Sequence, residues 1–115
     1  MNDFDIPIFK HCYDLYKSLH DIRITIPKQD RHTLWQKVEN TALSVLEEIM
    51  QASSMNKSDK LPVLISASHN LNLLRILIRL AKDTKIIDFK RYESLQNNID
   101  EIGRMLGGWI KQVKD

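Results

Sequence analysis

Apolar residues recur along the chain at alternating spacings of three and four in four stretches, which is the repeat of one buried helix face. The first stretch runs from about Pro7 to Arg23. It carries Ile8, Cys12, Leu15, Leu19 and Ile22, and Ile26 continues the stripe. Pro7 suits the first turn of a helix, and Asp5 is placed to cap it. Pro27 interrupts the pattern, because a proline disfavours helical backbone in the residue before it. The second stretch runs from about Lys28 to Ser53, with Leu34, Val38, Ala42, Val45, Ile49 and Ala52 in line and Leu43, Leu46 and Met50 beside them. That face is wider than one partner helix needs. The residues from Ser53 to Ser58 read as a turn.

The third stretch runs from about Asp59 to Lys82, with Ser58 placed to cap it and Pro62 in its first turn. Leu64, Ala67, Leu71, Leu74, Ile78 and Ala81 form its stripe, and Leu73, Ile76, Leu77 and Leu80 cover much of the rest. The fourth runs from about Phe89 to Gln112, capped by Asp88, and repeats the pattern through Tyr92, Leu95, Ile99, Ile102, Leu106, Trp109 and Val113. A strand reading survives only between Asp83 and Phe89, too short to build a sheet. Four helices of roughly 17 to 26 residues with short joints predict an all-α, antiparallel up-down-up-down four-helix bundle. The 115 residues are expected to form a single domain, 1–115.

Composition narrows this only slightly. Three glycines and three prolines are too few for an all-β fold with its recurrent turns. The start, Met1-Asn2-Asp3-Phe4-Asp5, has neither a basic n-region nor a long apolar run. No signal peptide or membrane span is expected, and a cytoplasmic location is the default. The formal net charge of +2 neither demands nor excludes a nucleic-acid partner, so the placement of the charges decides.

Catalytic and metal chemistry find little support. Three residues before His11, His20, His32 and His69 stand Ile8, Lys17, Gln29 and Ser66, so no Glu-x-x-His pair for a di-iron centre exists. No two histidines are four apart, and one cysteine, Cys12, cannot build a cysteine zinc site. Cys12 lies on an apolar stripe and reads as a small core residue. Gly103, Gly107 and Gly108 match no phosphate-binding loop. No metal, cofactor, small-molecule substrate or catalytic residue is expected.

Four features stand out. Ser68, Asn72, Arg75, Arg79 and Lys82 share one helix face that carries three positive charges and no acid, and Lys85 extends the run. Such a face is either simply solvated or an anion contact; basic residues in a last helical turn also complement the helix dipole. Leu73, Leu77 and Leu80 exceed what a lone bundle can cover, which points to self-association unless helix tilt buries them. Gly107 and Gly108 mark either close approach by another backbone, with Trp109 beside them, or a fraying helix end. Lys28 and Arg31 flank the joint at Pro27, as phosphate contacts or as ordinary helix-start pairing.

The same residues carry a family resemblance. Ile26-Pro27-Lys28-x-x-Arg31, Leu71-x-x-Leu74-Arg75-x-Leu77-Ile78-Arg79-Leu80-Ala81, Tyr92-Glu93-x-Leu95 and Glu101-Ile102-Gly103-Arg104-Met105-Leu106-Gly107-Gly108-Trp109-Ile110-Lys111 resemble the accessory variability determinant (Avd) family of diversity-generating retroelements. That family is related to the four-helix proteins of intervening sequences in bacterial 23S ribosomal RNA genes. Ile26 stands where an aromatic residue is common. The resemblance implies a homopentameric barrel without catalytic activity that binds nucleic acid and the element's reverse transcriptase during mutagenic cDNA synthesis. It directs Arg75, Arg79 and Lys82, then Lys28, Arg31 and Arg104, towards nucleic acid or partner. It agrees with the surplus apolar area and the helix glycines, which assign Leu73, Leu77, Leu80, Gly107, Gly108 and Trp109 to the oligomer interface. An oligomeric scaffold of the ribosomal intervening-sequence type is the alternative.

Overall fold

The computed structural model describes residues 6–115. Among them the chain forms α1 (Pro7–Ile22), a 3-10 turn (Arg23–Thr25), a one-turn α2 (Lys28–Arg31), α3 (Leu34–Ser53), α4 (Lys57–Asp83) and α5 (Phe89–Lys114), with no strand. The four long helices pack in a closed ring, α1 on α3, α3 on α4, α4 on α5 and α5 back on α1. This is the expected four-helix bundle. At 1.5 Å per residue α4 spans about 40 Å, close to the 44 Å long axis of the molecule.

The expected stripes form one hydrophobic core, with Leu19, Val38, Ile49, Leu64, Leu74, Ile78, Ile99 and Ile102 fully enclosed. Cys12 belongs to it, and burial pushes its thiol up to about 12, so it stays protonated and unreactive near neutral pH. The Asp88 cap is as expected: its carboxylate accepts from the Arg91 backbone N–H at 2.8 Å. Asp5, the expected cap of α1, lies outside the described residues.

Four local expectations are corrected. The stretch from Lys28 to Ser53 is not one helix, because the backbone breaks at His32 and Thr33. The expected stripe of α3 holds from Val38 to Ala52, and only its first member differs. Trp35, not Leu34, leads the buried face, and its indole Nε1 donates to the Leu19 carbonyl at 3.1 Å. Ser58 does not cap α4. The helix begins at Lys57, and the Asn56 carbonyl receives the first backbone N–H groups, of Asp59 and Lys60. Pro62 therefore sits beyond the first turn. The helical bond it cannot donate would go to the carbonyl of Ser58, an exposed position open to solvent.

The segment between α4 and α5 is a turn rather than a strand. Lys85 adopts φ 64°, the Ile86 N–H reaches back to Ala81 O at 2.8 Å and the Lys85 N–H reaches Lys82 O at 2.9 Å. This pair of bonds is the Schellman closure of a helix, which ordinarily places glycine in the left-handed position. A side chain there costs about 1–2 kcal/mol. Replacing Lys85 with glycine is therefore expected to raise stability by about 0.5–1 kcal/mol after the greater freedom of glycine in the unfolded chain is counted. Urea denaturation of the two proteins at equal concentration checks this.

Candidate nucleic-acid interface

The up-down topology sets the α1–α3 joint and the α4–α5 turn at the same end of the bundle. Lys28, Arg31, Arg79, Lys82 and Lys85 therefore gather towards that end, while Arg75 lies farther along α4. Gly107, Gly108 and Trp109 fall at the opposite end, where Trp109 borders an apolar pocket with Ile6, Pro7, Ile8, Ser53 and Met105.

Arg75 and Arg79 line a groove of about 330 Å³ between α4 and α5, completed by Ile76, Tyr92, Gln96 and Asp100. Arg75 is held from several sides. Its guanidinium meets Asp100 Oδ1 at 3.1 Å and Asn72 Oδ1 at 2.9 Å, and its backbone carbonyl accepts from Gln96 Nε2 at 3.1 Å. Arg79 Nε lies 3.8 Å from Asp83 Oδ2, and Lys82 Nζ 3.5 Å from the other oxygen of that carboxylate. The Lys82 ammonium also sits 4.4 Å from the centre of the Tyr92 ring, an attraction of about 0.5–1 kcal/mol at an exposed site.

The cations of α4 are nevertheless paired with acids. Asp83, in the last turn of α4, stands four residues after Arg79, a pairing that spacing along the helix already offers, whereas Asp100 crosses from α5 to Arg75 and could not be read from α4 alone. Exposed ion pairs of this kind contribute about 0–1 kcal/mol, so a phosphate can displace them.

Gly103 explains how Arg75 reaches Asp100. A Cβ built on Gly103 would lie 3.3 Å from Arg75 Nη2 and 3.6 Å from Leu71 Cδ2. The bare backbone leaves space for the guanidinium against α5. The visible signal was a glycine inside a helical repeat. Around Gly107 and Gly108 nothing lies within 4 Å of an added Cβ, and the helix continues past both to Lys114. No backbone of the chain's own described residues approaches them, and the helix does not end there.

Arg104 stands one turn beyond Asp100 on α5 and is bound to Glu101 through Nε at 3.2 Å. That hydrogen bond, reinforced by the Arg104 charge, holds the Glu101 carboxyl below its ordinary value. Lys28 is exposed. Arg31 instead turns onto its own joint, donating from Nε to the Ile26 carbonyl at 2.8 Å and from Nη2 to the Ile24 carbonyl at 2.9 Å.

Beside the groove α4 presents Leu73, Ile76 and Leu80 to solvent, while Leu77 packs partly against the core. Ile76, at 65% exposed, is the most open of these. Among the described residues α4 alone is long and apolar enough to cross a membrane, and only 28% of its most apolar window is buried in the bundle. No group of three or more His, Cys, Asp or Glu side chains gathers as a metal site among the described residues.

The bAvd-like family profile matches residues 7–113, nearly the whole chain. The chain belongs to the bAvd-like family. The resemblance read in the joint, in α4 and in the Gly103–Trp109 segment thus coincides with membership across the bundle. No curated protein matches the chain. Among solved structures, a protein of unknown function from the S23 ribosomal protein family of Bacteroides thetaiotaomicron VPI-5482 superposes with a TM-score of 0.81, at 19% identity, over 90% of this chain and 98% of that one. At that identity the likeness concerns the bAvd-like fold alone.

Proposed function

We propose that the chain is a non-enzymatic accessory subunit of a diversity-generating retroelement. In this reading it binds template RNA or cDNA and the reverse transcriptase, works in the cytoplasm, and assembles as a homo-oligomer, a pentamer by analogy with its family. The observation that carries the reading is the α4–α5 groove. It sets two guanidiniums and an ammonium beside Tyr92 and Gln96. Arg75, Arg79 and Lys82 make the principal phosphate contacts, with Lys28 and Arg104 extending the basic surface. Arg31 contributes through the donors its joint leaves unused.

Affinity built on phosphate contacts falls linearly with the logarithm of salt concentration, by a slope of about −0.9 per contact on duplex and about −0.7 on single strands. Three contacts per protomer predict a slope near −2 to −3, steepened when several protomers of one assembly engage the same RNA. Filter binding to a long structured RNA across several salt concentrations tests this. Absence of binding at low salt removes the nucleic-acid reading.

A second reading has a specific observation behind it. Arg75, Arg79 and Arg104 are all paired with carboxylates of the chain itself. If those pairs stay closed, the bundle is an oligomeric scaffold of the ribosomal intervening-sequence type, and its apolar surface is the working face.

Both readings involve self-association through Leu73, Leu77 and Leu80, with Ile76 added from its exposure and Gly107, Gly108 and Trp109 at the far end. A glutamate at Ile76 leaves the core untouched, but even beside Arg75 and Arg79 it replaces apolar contact with a charge that must be desolvated between protomers. Ile76→Glu is expected to keep full helicity by circular dichroism and to reduce the assembly mass measured by light scattering. An unchanged mass would take Ile76 out of the interface.

A further inference from the structure

The α1–α3 joint shapes a separate open pocket of about 300 Å³ on the surface, lined by His20, Arg23, Ile24, Arg31 and His32. No residue of α4 or α5 contributes to it. Two guanidiniums and two imidazoles form its polar wall, and no carboxylate is among the lining residues. Beneath them lies Glu39, which is 5% exposed. Its Oε1 is 3.7 Å from His20 Nδ1 and its Oε2 is 3.7 Å from Arg23 Nε.

One buried carboxylate cannot neutralise two permanently charged guanidiniums. The cluster carries a surplus positive charge even with both imidazoles neutral. Its donors are also preset. Arg31 is fixed by the Ile26 and Ile24 carbonyls, which take two of its five N–H groups and leave three. Arg23 directs Nε towards Glu39 and keeps its amino groups for another acceptor. The His20 ring stacks on Tyr16 with centroids 6.2 Å apart. A basic pocket with fixed, unspent donors matches the paired oxygens of a phosphate, and Ile24, 79% exposed, adds an apolar wall beside them.

We propose that this pocket is an oxyanion site that takes a phosphate group, as monoester or diester, on Arg23, Arg31, His20 and His32. Glu39 is a positioning residue that holds His20 and Arg23 to the same side of α3. The proposal rests on the nucleic-acid reading only for the source of the phosphate. The pocket itself accepts inorganic phosphate as well.

The imidazole resonances of the full chain report the site, with His11 and His69, neither of which lines the pocket, as internal references. Three ligands are titrated at constant ionic strength: inorganic phosphate, an RNA tetranucleotide with a 5′-phosphate, and the same tetranucleotide without it. Saturable shifts of His20 and His32 alone are expected, weakened at least tenfold in Arg23→Gln. A response to the tetranucleotide only when it carries the 5′-phosphate assigns a terminal monoester, and an equal response to both assigns the diester backbone. The Arg75→Ala, Arg79→Ala double variant is expected to keep these shifts even where it loses RNA affinity, so failure of the groove and failure of the pocket are distinguishable. Absence of saturable shifts with all three ligands overturns the proposal, as do shifts common to all four histidines that Arg23→Gln leaves unchanged.

Discussion

Trp35→Ala is expected to lower the unfolding free energy by about 3–5 kcal/mol, a large share of the roughly 5–15 kcal/mol that holds a domain together. The side chain is fully buried where α3 begins. Its removal withdraws the largest fully buried side chain and leaves a cavity in the core. It also breaks the indole bond to the Leu19 carbonyl, which ties the end of α1 to the start of α3 across the joint. Trp35→Phe separates the two effects. It keeps most of the volume and loses the bond, and it is expected to cost less than half as much, because Leu19 O retains the backbone N–H of Arg23 as a donor. Urea titrations followed by circular dichroism at one protein concentration measure both, since self-association makes midpoints concentration-dependent. A loss below about 1 kcal/mol in Trp35→Ala would show that the joint repacks freely.

Arg75→Ala with Arg79→Ala is expected to weaken RNA binding by about a hundredfold and to flatten the salt slope by nearly two per protomer. Each guanidinium–phosphate bond contributes about 1.5–3 kcal/mol. From that must be taken about 0–1 kcal/mol for the ion pair it displaces. The remainder is about tenfold in affinity for each arginine. Folding is expected to change little, because Asp100 and Asp83 are exposed and need no partner, and the Gln96 bond goes to the backbone of residue 75 rather than to its side chain. Arg75→Lys sharpens the test. It keeps the charge and the salt slope but loses the planar fork, so a fall in affinity with an unchanged slope identifies geometry as the contribution of Arg75. A double variant that binds as the parent does would remove both residues from the interface.

The bundle was legible in the sequence because periodicity reports burial directly. Four uninterrupted three-four repeats gave the four long helices, and Asp88 announced its cap. What escaped depended on neighbours that are distant along the chain. Trp35 rather than Leu34 leads the buried face of α3 because its indole reaches the Leu19 carbonyl sixteen residues back, and Arg31 closes the joint on carbonyls five and seven residues back. The cations of α4 were visible, but Asp100, on another helix, was not. Gly103 and the Gly107–Gly108 pair look alike as letters. Only packing separates them: the first is pressed against Arg75 and Leu71, and the others stand open. His20, Arg23 and Glu39 gave no pattern at all, since they meet across two helices only after the joint has turned.

The way Arg31 closes that joint has a consequence for how the molecule opens. Helix ends ordinarily fray, and hydrogen exchange there reports motions of nearly zero free energy. Here the last carbonyls before Pro27 are capped by a side chain from the next element, and Trp35 pins Leu19 from the element after that. The end of α1, the joint and the first turn of α3 are therefore expected to open as one cooperative unit, with amides on both sides of a proline exchanging at a common rate rather than with the gradient of a free helix end.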